Sequence, residues 1–426
     1  MSTYWTANRR FKLALAVIGA VWLVMIGGLM IIDVWDETNA LVLLASEPLA
    51  SMNVFEAVRA VWLQQLPFDI YRPLGSSLAI GLGKLSGGSY LLLRYFNALL
   101  VLCSVALLAR ALVLRFDMEA GRAVTFFTVL LFSASSLITA TWFANIFDAA
   151  CLFFLALAIR LYVSGHLVGC GVSFACAVFC KESCALALPL FGWLLWEDLQ
   201  ESDARGRNAR IGLAVSMLGV SAVYWWLRHS LIPIGSEADI HGFEIDVYAA
   251  SYTSFIAGFP AQSSSFAHGG AMFWAGIAAM IALVVLTRNF GAKFTVLAIL
   301  GLCGPVYWGM FGYQGENIMS HHNFVGRLYL IPFALTLFIV FARAPRSAIL
   351  LVALFSVWGM GVTWRQHYVF QQTYADIYRL AESTEGTLFV HYPEKPLEDF
   401  QRDLMIGDFP DAAVRINPRE GGIDGC

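Results

Sequence analysis

LALAVIGAVWLVMIGGLMII, Leu13 to Ile32, runs for 20 residues without a charged side chain and then meets Asp33-Val34-Trp35-Asp36-Glu37. At about 1.5 Å of rise per residue, a helix of that length crosses roughly 30 Å of hydrocarbon. Three carboxylates within five positions follow, at the depth where the chain leaves the apolar stretch. Carboxylates near a bilayer interface cost free energy, so the cluster is either a solvated exit from the helix or a functional group of acids. No small-x-small site precedes Asp33, so the stretch reads as a retained span and not as a cleaved leader.

The whole chain extends that pattern. Of its 426 residues, 59% are hydrophobic and only 13% charged, about half the charge of a soluble domain, and the mean hydropathy is +0.68. A net charge of −3 argues against nucleic acid or an acidic polymer as partner. Eight cysteines give no disulfide framework, because most lie in or near apolar stretches. Cys176, Cys180 and Cys184 recur at i, i+4, i+8, but no histidine completes a ligand set, so they read as small packing residues.

Hydropathy predicts an all-α polytopic membrane protein with about 11 transmembrane helices. Span one is followed by a first outer region, residues 33–90, in which apolar runs broken by Glu47, Pro48, Glu56 and Arg59 suit amphipathic helices on the membrane face. Tyr71-Arg72-Pro73-Leu74 then opens a short helix, with proline suited to its first turn. Further spans are expected at Tyr90 to Leu112, Ala123 to Ala140, Trp142 to Tyr162, His166 to Cys180, Cys184 to Trp196 and Ile211 to Leu227. After a long outer loop, four more follow: Ala271 to Thr287, Phe294 to Phe311, Leu328 to Phe341 and Ser347 to Val362. Fourteen Lys and Arg residues then fall on the N-terminal side of the membrane and seven on the other. That bias predicts a cytoplasmic N-terminus and a periplasmic C-terminus in a bacterial inner membrane. Residues 1–363 form the membrane part, and residues 364–426 a small C-terminal α/β appendage with strands at Gly386 to His391 and Ala412 to Ile416.

This topology gathers Asp33, Asp36, Glu37, Arg72, Lys181 and Arg327 on the outer side, with Tyr71, Glu182, His321 and His322 near them. Asp148 lies about two turns inside span four. Segregated acids and cations suit a transfer in which a hydroxyl attacks and a phosphate departs. One carboxylate takes the hydroxyl proton, and fixed cations stabilise charge growing on the phosphate. Plainer readings stand beside this one. Lys181 and Glu182 could satisfy each other at a helix turn, Asp148 could pair with Arg94, and Arg327 could be an interface anchor. Adjacent histidines point apart on a helix, so His321 and His322 read as no metal site. Trp225 and Trp226 suit an aromatic belt.

The motifs also resemble a family. VWDET (34–38), YRPLGSSL (71–78), NIFDAACLFF (145–154), CKESCALALP (180–189) and GRLYLIP (326–332) occur in the order seen in the GT-C glycosyltransferases. These polytopic enzymes use polyprenyl-phosphate sugars and include protein O-mannosyltransferases and lipid A aminoarabinose transferases. Leu74 stands where the aminoarabinose-type turn has a second proline, and Leu328 separates Arg327 from Tyr329. The resemblance implies a glycosyltransferase, expected to be inverting, with Asp36 as base and Glu37 or Asp33 holding it, the acceptor or a metal. Arg72, Lys181 and Arg327 would contact the donor phosphate. Its implied partners are the lipid bilayer, a polyprenyl-phosphate sugar donor and a periplasmic acceptor hydroxyl on a glycan, lipid or protein. No cofactor is demanded by the spacing, although the carboxylates could hold a divalent metal. A transporter or lipid-linked sugar flippase is the competing class. It predicts an internal repeat, which the sequence lacks, and broken helices near the membrane midplane.

Overall fold

The computed structural model describes residues 2–27, 49, 51–63, 65, 71–86, 90–141, 145–201, 203–231, 284–285, 287, 289–299, 330–346, 349–350, 353–354, 386–391 and 412–417. Among these, helix dominates. α1 (Ser2–Gly27) contains the first span. α2 (Val54–Trp62) and α3 (Pro73–Leu85) pack together in the first outer region. α4 (Tyr90–Phe116), α5 (Ala120–Leu131), α6 (Ala134–Thr141), α7 (Ile146–Val163) and α8 (Leu167–Cys180) follow. A 3-10 turn (Glu182–Ala187) leads into α9 (Leu188–Glu201), and then come α10 (Ala204–Leu231), α11 (Phe290–Ile299) and α12 (Leu330–Arg343).

Four of these helices are long and apolar enough to cross a membrane: segments Arg9–Gly27, Leu92–Phe116, Ile146–Val163 and Gly206–Leu231. α1 turns Leu13, Val17, Val21 and Val24 outward, and α10 does the same with Ile211, Val215, Leu218 and Trp226. Exposed apolar stripes at helical spacing are what hydrocarbon covers. α7 sits at the centre, packed against α4 and α8, with Leu152, Leu155 and Ile159 fully buried.

Local chemistry sets the ends. Asn53 accepts from the backbone of Phe55 and Glu56 while Glu56 reaches back to the Asn53 N–H, a capping box that starts α2. α7 stops in a Schellman turn. Gly165 has φ +78°, its N–H donates to Tyr162, and the His166 N–H donates to Leu161.

The structure departs from expectation in two ways. The span foreseen from Ala123 to Ala140 is a helix pair, α5 and α6, bent by 64°. Ser133 and Ser136 both donate their hydroxyls to the Leu130 carbonyl, at 2.8 and 2.6 Å, and the Ser136 N–H donates to Ser133 Oγ. Side-chain bonds thus replace the helical ladder at the break. The sixth span begins as a 3-10 turn and becomes α-helical only at Leu188. The expected spans eight, nine and eleven lie largely outside the described residues. At the C-terminus, strands Gly386–His391 and Ala412–Asn417 pair in parallel, with Gly386 opposite Ala412.

Candidate functional site

Tyr71 and Arg72 enter α3 through Pro73, which occupies the first helical turn where a missing N–H costs nothing. The helix then approaches its neighbours closely. A Cβ on Gly75 would collide with the Phe147 ring and lie 3.0 Å from the Cys180 carbonyl oxygen. Only glycine lets α3 come so near to α7 and α8. Arg72 is thereby held where α7 starts and α8 ends, its guanidinium 5.6 Å from the Phe147 ring centre.

The second component is the end of α8. Lys181 leaves the helix in extended conformation, φ −162°, ψ 139°, and Glu182 opens the 3-10 turn. Successive side chains therefore diverge. Lys181 Nζ donates to both carboxylate oxygens of Asp148, at 2.6 and 2.7 Å. Glu182 instead receives Arg72 in a two-point contact, Nε to Oε2 at 2.9 Å and Nη2 to Oε1. Arg228, near the end of α10, lies 3.4 Å from Glu182 Oε2. The Tyr224 hydroxyl donates to the Tyr71 carbonyl at 2.8 Å and sits 3.2 Å from the same carboxylate oxygen.

These groups are almost entirely out of solvent. Lys181, Glu182 and Asp148 are each 2–3% exposed and Arg72 8%. Arg72 precedes α3 and Glu182 opens the 3-10 turn, both outside the four helices of membrane length, and their titration follows from their pairing. Burial by itself would raise the Glu182 carboxyl, but Arg72, with Arg228 and Lys181, more than offsets it and holds the group down to about 2. Burial by itself would lower the Arg72 guanidinium, and Glu182 reverses that, leaving it above its ordinary value.

The structure thus brings Tyr71, Arg72, Asp148, Lys181 and Glu182 together. Among the described residues, Lys181 pairs with Asp148, and Glu182 pairs with Arg72. Asp33, Asp36, Glu37, His321, His322 and Arg327 lie outside the described residues. Among the described residues, no group of three or more His, Cys, Asp or Glu has a metal-ligand arrangement. Tyr224 and Arg228 were missed as members of the network. Arg228 carried a legible signal, a cation at the outer end of an apolar span; Tyr224 carried none.

A second network, also missed, closes the opposite helix ends. Asp198 of α9 accepts the Tyr162 hydroxyl at 2.5 Å and lies 2.6 Å from Arg115 and 3.4 Å from Arg210. Glu197 pairs with Arg343 at 3.0 Å, and that guanidinium lies 5.0 Å from the Phe116 ring centre and 5.7 Å from the Trp193 ring centre.

No family model matches the chain, and no curated protein or solved structure shows significant similarity to it.

Proposed function

We propose that this chain is an integral membrane glycosyltransferase that moves a sugar from a polyprenyl-phosphate donor to an acceptor hydroxyl on the outer side of the membrane. Asp36 removes the acceptor proton, Glu37 or Asp33 orients it, and the new glycosidic bond forms as the sugar–phosphate bond breaks with inversion. The polyprenyl phosphate leaves as an anion facing Arg72, Lys181 and Arg327.

The observation that carries this reading is the convergence of Arg72 with the Lys181-Glu182 turn, segments 110 positions apart in sequence. Glu182 takes two N–H groups of the Arg72 guanidinium, and the fork has five, so a phosphate oxygen can engage the same cation. The end of α1 supports it further. A Cβ on Gly27 would lie 2.8 Å from the Tyr95 hydroxyl, and the neighbouring Leu93 packs on Ile146 at the start of α7. Asp33 follows Gly27 by only six residues, a reach of at most about 21 Å.

Membranes containing Asp36→Asn or Arg72→Lys, assayed for sugar transfer from polyprenyl-phosphate donors, test the proposal. Expected losses are about 100-fold or more for each, the usual scale for a general base or a phosphate-facing cation. Undiminished transfer by both variants at equal folded protein would end it.

One observation favours a second reading, a flippase for lipid-linked sugars: the 64° break between α5 and α6. Proteoliposomes that translocate the lipid donor without transferring its sugar would decide for that class.

A further inference from the structure

A cavity of about 480 Å³ opens at the end of the bundle opposite the Arg72–Glu182 network, where α4 stops and α5 begins. Asp117, Glu119, Arg122 and Arg346 give it both signs of charge, and Phe116 and Ile349 give it an apolar wall. That volume is within the range of small-molecule sites.

Three features make it more than a surface dent. The Nη2 of Arg122 donates to the Ala344 carbonyl at 2.7 Å, which fixes the guanidinium. Its buried Nε has no hydrogen-bond partner among the described residues. α5, 12 residues long, starts without a side-chain cap, and Glu119, Gly121 and Arg122 at its start line the cavity. The negative side is equally specific. Glu119 is already opposed by Arg346 at 3.8 Å, both highly exposed, whereas Asp117, with φ +45°, forms no ion pair among the described residues. Next in sequence to the lining residue Ile349, Leu350 is 61% exposed, as is Leu354.

We propose that this cavity binds the headgroup of a zwitterionic phospholipid: phosphate on Arg122 and the α5 N-terminus, ammonium on Asp117, acyl chains along Leu350 and Leu354. The inference rests on the chain spanning a membrane, and it is independent of sugar transfer.

Native mass spectrometry of the full chain, delipidated in detergent and titrated with lipids, provides the test. Phosphatidylethanolamine should be retained over phosphatidylglycerol and over diacylglycerol. Gly121→Glu is the cleanest variant, because open space surrounds that position and an acid in the first turn suits the helix while repelling phosphate. It should lose about tenfold in affinity, the size of one charge-assisted hydrogen bond. Asp117→Asn keeps a residue type that tolerates the left-handed backbone. It should erase the preference for phosphatidylethanolamine over phosphatidylglycerol. Equal retention of diacylglycerol, unchanged binding in both variants, or displacement by inorganic phosphate at the concentration of the lipid itself would each overturn the proposal. Sugar transfer measured on the same Gly121→Glu protein should be unchanged, which separates this failure from that of the transferase reading.

Discussion

At the first turn of α7, Lys181 grips Asp148 with both groups all but sealed from water; at its other end, Tyr162 reaches an Asp198 shared with arginines that remain wet. The two ends are about 21 Å apart along the helix. The side chains of Arg72 and Glu182 are 9% and 0% exposed, whereas those of Arg115, Arg210 and Arg343 range from 23 to 35%. The difference is one of electrostatic cost. Desolvating both members of a pair takes several kcal/mol, returned only by close geometry, so sealed pairs are a poor route to stability alone. Half-exposed arginines retain hydration and add little beyond it. One end is therefore built to hold charge out of water, and the other to tie helices together.

The sharpest way to break this contrast is Glu182→Gln. It leaves Arg72 and Arg228 buried against a neutral group and should cost about 3–5 kcal/mol. A thermal unfolding midpoint in detergent unchanged from the parent chain would show that the outer pair is not sealed. Gly75→Val comes next. Its side chain would be forced into Phe147 and the Cys180 carbonyl, at a cost of about 1–3 kcal/mol, read in the same melt. A silent substitution there would mean that α3 does not press on α7 and α8.

Acid sharpens the comparison further. Glu182 is held down to about 2 from an ordinary 4.5, so the folded state favours its charged form. Its contribution is complete above pH about 4.5, declines as pH falls and is lost on passing through about 2. Stability followed between pH 5 and 2 should therefore fall more steeply in the parent than in Glu182→Gln. Parallel slopes would remove the Arg72–Glu182 pair as the source. The smallest effect belongs to the other end. Arg343→Gln should cost about 0.5–1 kcal/mol, and less in 1 M salt, where screening already weakens the pair. A larger, salt-independent loss would make the two ends alike.

Much of the outer cluster was legible because charge is expensive beside apolar spans. Arg72, Asp148, Lys181 and Glu182 each interrupt hydrophobic sequence, and each is in the network. Their pairing was not legible. It depends on the extended backbone of Lys181, which sends that side chain and its successor to different helices. The span at 123–140 read as continuous because its leucine, phenylalanine, valine and alanine residues outweigh three serines, while the hydroxyl bonds at Ser133 and Ser136 that bend it have no hydropathic signature. Glu197 and Asp198 sit in a polar helix end, and nothing in Glu197's surroundings in sequence announces Arg343, 146 positions away. Where chemistry alone set a boundary, as at Pro73, the reading held; the C-terminal strands, Gly386–His391 and Ala412–Asn417, lie within a residue of expectation.

The single extended residue between α8 and the 3-10 turn has a mechanical corollary. One peptide unit moors two charged side chains, the first anchored on α7 and the second on α3 and α10. Swinging that unit would strain both moorings at once, so a backbone movement that draws Lys181 from Asp148 would also tug on Arg72. Occupancy at this point would be felt simultaneously by three helices, a synchrony that needs no relay of intervening side chains.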